Sequence, residues 1–87
     1  MTVREFMSLW IDDISIVVYQ EPIKEIDKCK DLVRRQSGSV YVLLDSNQNY
    51  LDFEIVNFQN DDGRIVIVCK ANKEQEQRTI KAYRSKV

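Results

Sequence analysis

Histidine is absent from this chain of 87 residues. Its absence excludes imidazole acid–base catalysis, Ser–His and Cys–His nucleophile pairs, and nearly every zinc or iron site built on imidazole. Two glycines and one proline are too few for a phosphate-binding loop, a dinucleotide fingerprint, collagen or a Gly/Pro-rich linker. No G-x-S-x-G stretch occurs, and no run of 18 apolar residues is long enough to span a bilayer. Nothing in the sequence calls for a cofactor or a metal. The only cysteines, Cys29 and Cys69, form no C-x-x-C pair, and each lies in an apolar periodic run. They read as buried reduced thiols of a cytoplasmic protein rather than a disulfide framework. The opening MTVREFMSLW carries an acid and lacks the basic n-region and cleavage pattern of a secretory signal.

What is present is an ordinary globular balance, 44% hydrophobic and 31% charged residues. It fits one small domain over 1–87 that buries roughly 60–65% of its unfolded surface. The net charge of −1 conceals an asymmetry: residues 1–63 hold six basic and twelve acidic side chains, and residues 64–87 hold seven basic and two acidic. A basic C-terminal segment thus follows an acidic remainder. Either acids such as Asp52 and Glu54 neutralise it within the fold, or it projects toward an acidic partner.

Thr2 and Glu5 match a capping box, so a helix starts at Val3. Val3, Phe6, Met7 and Trp10 draw one apolar stripe along it for about two and a half turns. Asp12-Asp13 stops the helix, and the β-branched run Ile14–Tyr19 predicts an interior strand, apolar on both faces. Pro22 suits the first position of a second helix, with Ile23, Ile26, Cys29 and Val33 on its inner stripe. Arg34 and Arg35 close its C-terminus, and Gly38 is the stop.

Beyond Gly38 the period changes to two. Val40–Leu44 reads as a strand, Asp45–Asn49 as a polar turn, and Tyr50–Ile55 as a strand with Leu51, Phe53 and Ile55 inward. Asn60-Asp61-Asp62-Gly63 is a hairpin signal leading to the strand Ile65–Cys69. Lys73–Gln77 favours helix, but Arg78–Tyr83 alternates with Ile80 and Ala82 on one face, and the reading taken is a final edge strand. The expected fold class is α+β: two helices on one face of a mainly antiparallel four- or five-stranded sheet, in the order α-β-α-β-β-β with an optional last strand. The expected core is Val3, Phe6, Met7, Trp10, Ile14, Ile16, Val18, Ile26, Cys29, Val33, Val40, Val42, Leu44, Leu51, Phe53, Ile55, Ile65 and Ile67.

Few constellations carry chemistry. Asp45-x-Asn47-x-Asn49 resembles the opening of a calcium loop, but Tyr50 stands where glycine is required and Val56 where the bidentate Glu belongs, which favours an Asn/Asp turn. Asp12-Asp13 and Asp61-Asp62 are adjacent carboxylates, better suited to stopping a helix and turning a hairpin than to converging on a substrate. An enzyme is not expected. Trp10, with Phe6 and Met7, is either core or a partner hot spot, and its helical spacing favours core. The candidate binding residues are Arg78, Lys81, Tyr83, Arg84 and Lys86, where cations flank an aromatic ring. Such a pattern suits an anionic partner, including nucleic acid, and equally the cations that protect an edge strand.

Thr2-Val3-Arg4-Glu5-Phe6, the Asp12-Asp13 pair before a strand ending at Tyr19, and Leu51–Val56 ahead of Asp61–Val68 resemble small accessory proteins of phages and prophages of Gram-positive bacteria. The resemblance covers residues 2–20 and 50–70, and the basic tail 71–87 departs from it. It implies a protein that acts by binding inside the bacterial host, among them inhibitors of defence systems such as CRISPR effectors or cyclic-nucleotide signalling. The expected partner is a host protein or nucleoprotein complex and not a membrane, with the oligomeric state left open. The alternatives are a nucleic-acid binder that uses the basic segment and a sponge for an anionic nucleotide.

Overall fold

The structure is a computed structural model that describes residues 1–10, 12–23 and 34–85, apart from the side chains of Arg34 and Tyr83. It is α+β. The described elements are α1 (Val3–Ser8), β1 (Ser15–Gln20), β2 (Arg34–Ser39), α2 (Val40–Asp45), a 3₁₀ turn (Asn49–Asp52), β3 (Glu54–Asp61), β4 (Arg64–Lys70) and α3 (Lys73–Ser85).

Local chemistry fixes the first helix as expected. The Thr2 hydroxyl accepts from the Glu5 amide at 3.1 Å and the Glu5 carboxylate accepts from the Thr2 amide at 3.0 Å, which completes the capping box. The helix ends at Ser8, shorter than the stripe suggested, so Trp10 lies beyond it and is exposed rather than core. β1 is interior as predicted, because the strand order is β2-β1-β4-β3. Two pairings, β1–β2 and β3–β4, are antiparallel, but β1 runs parallel to β4 with Ile16 beside Ile65 and Val18 beside Ile67, so the sheet is mixed. Its Asp-Gly hairpin forms as read, with Asp62 at φ 50° and Gly63 at φ 78°.

Four expected elements are replaced in whole or in part. Arg34, Arg35 and Gly38, read as a helix end and its stop, belong to β2, with Gly38 opposite Ile16. Pro22 and Ile23, its expected first residues, are not helical, with Ile23 buried in the core, and residues 24–33, with Ile26, Cys29 and Val33, lie outside the described residues. Val40–Leu44 is helix instead of strand. The Ser39 hydroxyl accepts from the Val42 amide, the Asp13 carboxylate accepts from the Tyr41 amide at 3.0 Å, and the Ile14 carbonyl accepts from the Val40 amide at 2.9 Å. With three first-turn amides satisfied and Val40 and Leu43 buried at i and i+3, tertiary context overrides β propensity, and Val42 turns outward at 65% exposure. Tyr50–Ile55 opens as the 3₁₀ turn, and β3 begins only at Glu54. The last replacement, the tail, is described with the site below.

One buried cluster joins Val3 and Met7 of α1, Val40 and Leu43 of α2, Tyr50 and Leu51 of the 3₁₀ turn, and Ile80 of α3 to Ile16, Val18, Ile67 and Cys69 of the central strands. Phe53 is buried with them, while Phe6, Ile14, Leu44, Ile55 and Ile65 are partly buried against them. Tyr50, Leu43 and Ile80 were absent from the expected core. Val17 and Val66 are also buried, and as register partners pointing opposite to Ile16 and Ile67 they make both faces of the central pair apolar. Among the described residues no helix is long and apolar enough to cross a membrane.

Candidate functional site: the basic face of α3

The tail is helix, not edge strand. Asn72 caps it: its Oδ1 accepts from the Gln75 amide at 2.8 Å, and Gln75 Oε1 accepts from the Asn72 amide at 2.9 Å, a second reciprocal box. Ile80 is buried and Thr79 donates to the Gln75 carbonyl, which sets the inner side of the helix. The 3.6-residue period then gathers the exposed Glu74, Gln77, Arg78, Lys81 and Arg84 around a shallow groove of about 440 Å³ that Ile80 also lines. Alternation as a strand would have spread these residues over two faces; helix formation collects the three cations on one. The Tyr83 side chain and Lys86 lie outside the described residues.

The acids named as internal neutralisers of this segment are engaged elsewhere. Asp52 Oδ1 accepts from Arg4 Nε at 3.1 Å, and Glu54 Oε2 pairs with the Met1 amino group at 2.8 Å. Arg78 shares a small cavity of about 90 Å³ with Asp52, Asn49 and Gln75, yet among the described residues neither Arg78 nor Lys81 forms an ion pair. Arg84 has an interaction of its own.

The remaining sequence candidates resolve into structural roles. Asn47 takes a left-handed turn at φ 48° and its Oδ1 accepts from Arg4 Nη2 at 3.1 Å, so the Asp45–Asn49 stretch turns the chain and anchors α1. Asp13 caps α2, and Asp61 and Asp62 serve the hairpin. Among the described residues no three of Cys, Asp and Glu converge. Cys69 is a free, fully buried thiol whose pKa burial pushes up to about 12, so it is inert at neutral pH. Tyr50 is also raised by burial, and its hydroxyl lies beside Ser46 without closing a hydrogen bond.

Two features went unread in the sequence. An amide-lined cavity of about 330 Å³ holds Gln20, Gln36, Gln48 and Asn49 beside Tyr50 and Thr79. Scattered glutamines give no periodic signal, so only the fold brings them together. The second is an aromatic row: Phe6 meets Trp10 edge-on at 5.9 Å between ring centroids and Phe58 at 6.2 Å, with Phe58 64% exposed. Its Phe6–Trp10 half is the pair weighed as a hot spot in the sequence, and the unread part is Phe58, beyond the expected strand end at Ile55. Comparison with protein families, with curated proteins and with solved structures finds no match to this chain.

Proposed function

We propose that the protein works by binding: a small phage-type protein that occupies an acidic surface of a host protein through the outer face of α3, in the manner of an inhibitor of a bacterial defence system. The observation that carries the reading is that Arg78 and Lys81 stand exposed and form no ion pair among the described residues, while Asp52 and Glu54, the acids expected to neutralise the segment, are held by Arg4 and Met1. Cations left without an internal partner add little to stability and much to encounter with an opposite potential. Glu74 shares the groove, and α3 as a whole carries four basic and two acidic residues. Such mixed charge suits a protein surface better than a phosphate backbone, which rewards uninterrupted cations.

Affinity capture from a bacterial lysate, in nuclease-treated and untreated arms, tests the reading. A host protein retained in both arms and lost with Arg78→Glu/Lys81→Glu supports it; capture that disappears on nuclease treatment transfers the site to nucleic acid. A second reading, the anionic-nucleotide sponge, is favoured by the amide-lined cavity, since Asn49 and Thr79 also border the small cavity that holds Arg78. Amides suit the donor and acceptor edges of a base, and a guanidinium suits a phosphate. Calorimetric titration with cyclic mono- and dinucleotides, giving no heat at millimolar ligand, would exclude it.

A further inference from the structure

The two edges of the sheet are not alike. β2 carries Arg34 and Arg35, the kind of residue that keeps an edge from pairing. β3 contains no lysine, arginine or proline, and six of its eight residues in succession are exposed. The start of its outer edge is occupied: the Val3 amide donates to the Phe53 carbonyl at 3.1 Å and the Ile55 amide to the Met1 carbonyl at 2.9 Å, around a Thr2–Glu54 bridge. Its far end runs into the acidic turn Asp61-Asp62. Between them lies an uncharged window, Val56-Asn57-Phe58-Gln59-Asn60, whose midpoint is Phe58. Among the described residues nothing pairs with it on the outer side.

We propose that β3 pairs with the β3 of a second copy, antiparallel about Phe58, joining two four-stranded sheets into one of eight. A two-fold axis perpendicular to the sheet requires opposed residues to share a face. The window meets that requirement when Phe58 lies opposite its own counterpart and Asn57 opposite Gln59. Two exposed rings then form a cross-strand aromatic pair, and an amide faces an amide. Asp61 falls opposite Ile55, outside the paired stretch, so no like charges confront each other. Phe6 and Val56 border a hollow of about 380 Å³ next to Phe58 and Met1, which leaves room for the opposing ring. A basic extended peptide, by contrast, finds no acid within Val56–Asn60. The bulge at Val56 leaves Asn57–Gln59 as the regular paired stretch, and with one aromatic contact it buries less than the roughly 800 Å² per partner of a standard interface, so the dimer is weak. This surface is separate from the outer face of α3, and the test below does not depend on that reading.

Sedimentation velocity between about 5 µM and 1 mM reads the mass directly. The weight-average mass is expected to rise from 10.3 kDa toward twice that value with concentration. Phe58→Lys places two ammonium groups on the axis and should weaken association at least tenfold, while Phe58→Tyr retains it. Since Phe58 is largely exposed, circular dichroism should show Phe58→Lys folded; if it is not, Val56→Lys, also at an exposed position, replaces it in the same comparison. Hydrogen exchange supplies the second readout, with amide protection inside Val56–Asn60 increasing with concentration. A monomer at 1 mM overturns the proposal. So does a dimer that persists in the folded lysine variant, or one whose protection maps elsewhere. Loss of the dimer in Phe58→Lys with unchanged host-protein capture separates this surface from that of α3.

Discussion

Gln75 holds α3 at two points with one amide: Nε2 donates to the Asp52 carbonyl oxygen at 2.8 Å, and Oε1 accepts from the Asn72 amide at 2.9 Å. The same group closes the helix cap and fastens the helix to the 3₁₀ turn. Gln75→Ala removes both bonds and should cost about 1–2 kcal/mol. In a domain of this size each kcal/mol corresponds to about 4–8 °C in Tm. Gln75→Glu keeps the acceptor for Asn72 but sets a carboxylate against the Asp52 carbonyl, so it should lose stability while keeping helix content. Thermal melts followed at 222 nm check both, and equal, negligible effects would show that α3 is held by Ile80 alone.

Hydrophobic pattern puts Phe53 and Val42 in the same core, and the structure separates them. Phe53 is 6% exposed and Val42 65%. Phe53→Ala should therefore cost roughly 3–5 kcal/mol, enough to bring so small a domain near its unfolding threshold. Val42→Ala, at an exposed site, should change stability by about 0.5 kcal/mol or less. Urea midpoints of the two variants decide whether residues 40–44 are helix: as a strand with Val42 inward, both variants would be costly.

Burial makes Cys69 a pH-dependent element of stability. Its folded pKa of about 12 lies above the ordinary 9.0, so the unfolded chain ionises first as pH rises. The contribution is complete below pH 9 and is lost as pH rises toward 12. The Tyr50 hydroxyl, also raised by burial, acts in the same direction. The urea midpoint should fall between pH 8 and pH 10.5, and should fall less in Cys69→Ala. Peptide mapping after iodoacetamide treatment at pH 8 should show Cys69 unlabelled in the native protein and labelled in urea.

Arg78→Glu/Lys81→Glu should change Tm by less than about 8 °C, because exposed substitutions away from ion pairs are worth about 0.5 kcal/mol or less apiece. Once a partner has been captured, the same change should weaken binding about tenfold or more, and the parent's affinity should fall as salt shortens the screening length. Parent affinity that is flat between 50 and 500 mM salt would place the contact elsewhere.

Sequence patterns were legible where local chemistry and tertiary context agree. The Thr2/Glu5 box, the β-branched strand before Gln20 and the Asp-Gly hairpin all form as read. Reading failed where a distant group decides. Val40–Leu44 has strand composition, and beside its local Ser39 cap it takes the distant Asp13 carboxylate and Ile14 carbonyl at its first turn to make it helical. For the tail, the Asn72/Gln75 box lay in plain view and went unread, and the alternation of Ile80 and Ala82 prevailed. Parallel pairing of β1 with β4 could not be read from either strand, since a strand apolar on both faces suits either direction. Of the candidate site, cation identity was legible and placement was not: alternation separates Arg78 from Lys81, and helical period unites them.

The parallel pairing of β1 with β4 constrains how the chain assembles in time. Ile16 finds Ile65 only after about fifty further residues have been made, so β1, apolar on both faces, leaves the ribosome long before its neighbour on one side exists. Until β4 emerges, Ile16, Val17 and Val18 are a sticky segment in need of shelter. The capped α1, which is local, cannot supply it alone. Ribosome-stalled chains ending before residue 65 should therefore engage a holding chaperone, and release should coincide with the emergence of β4 rather than with any earlier element.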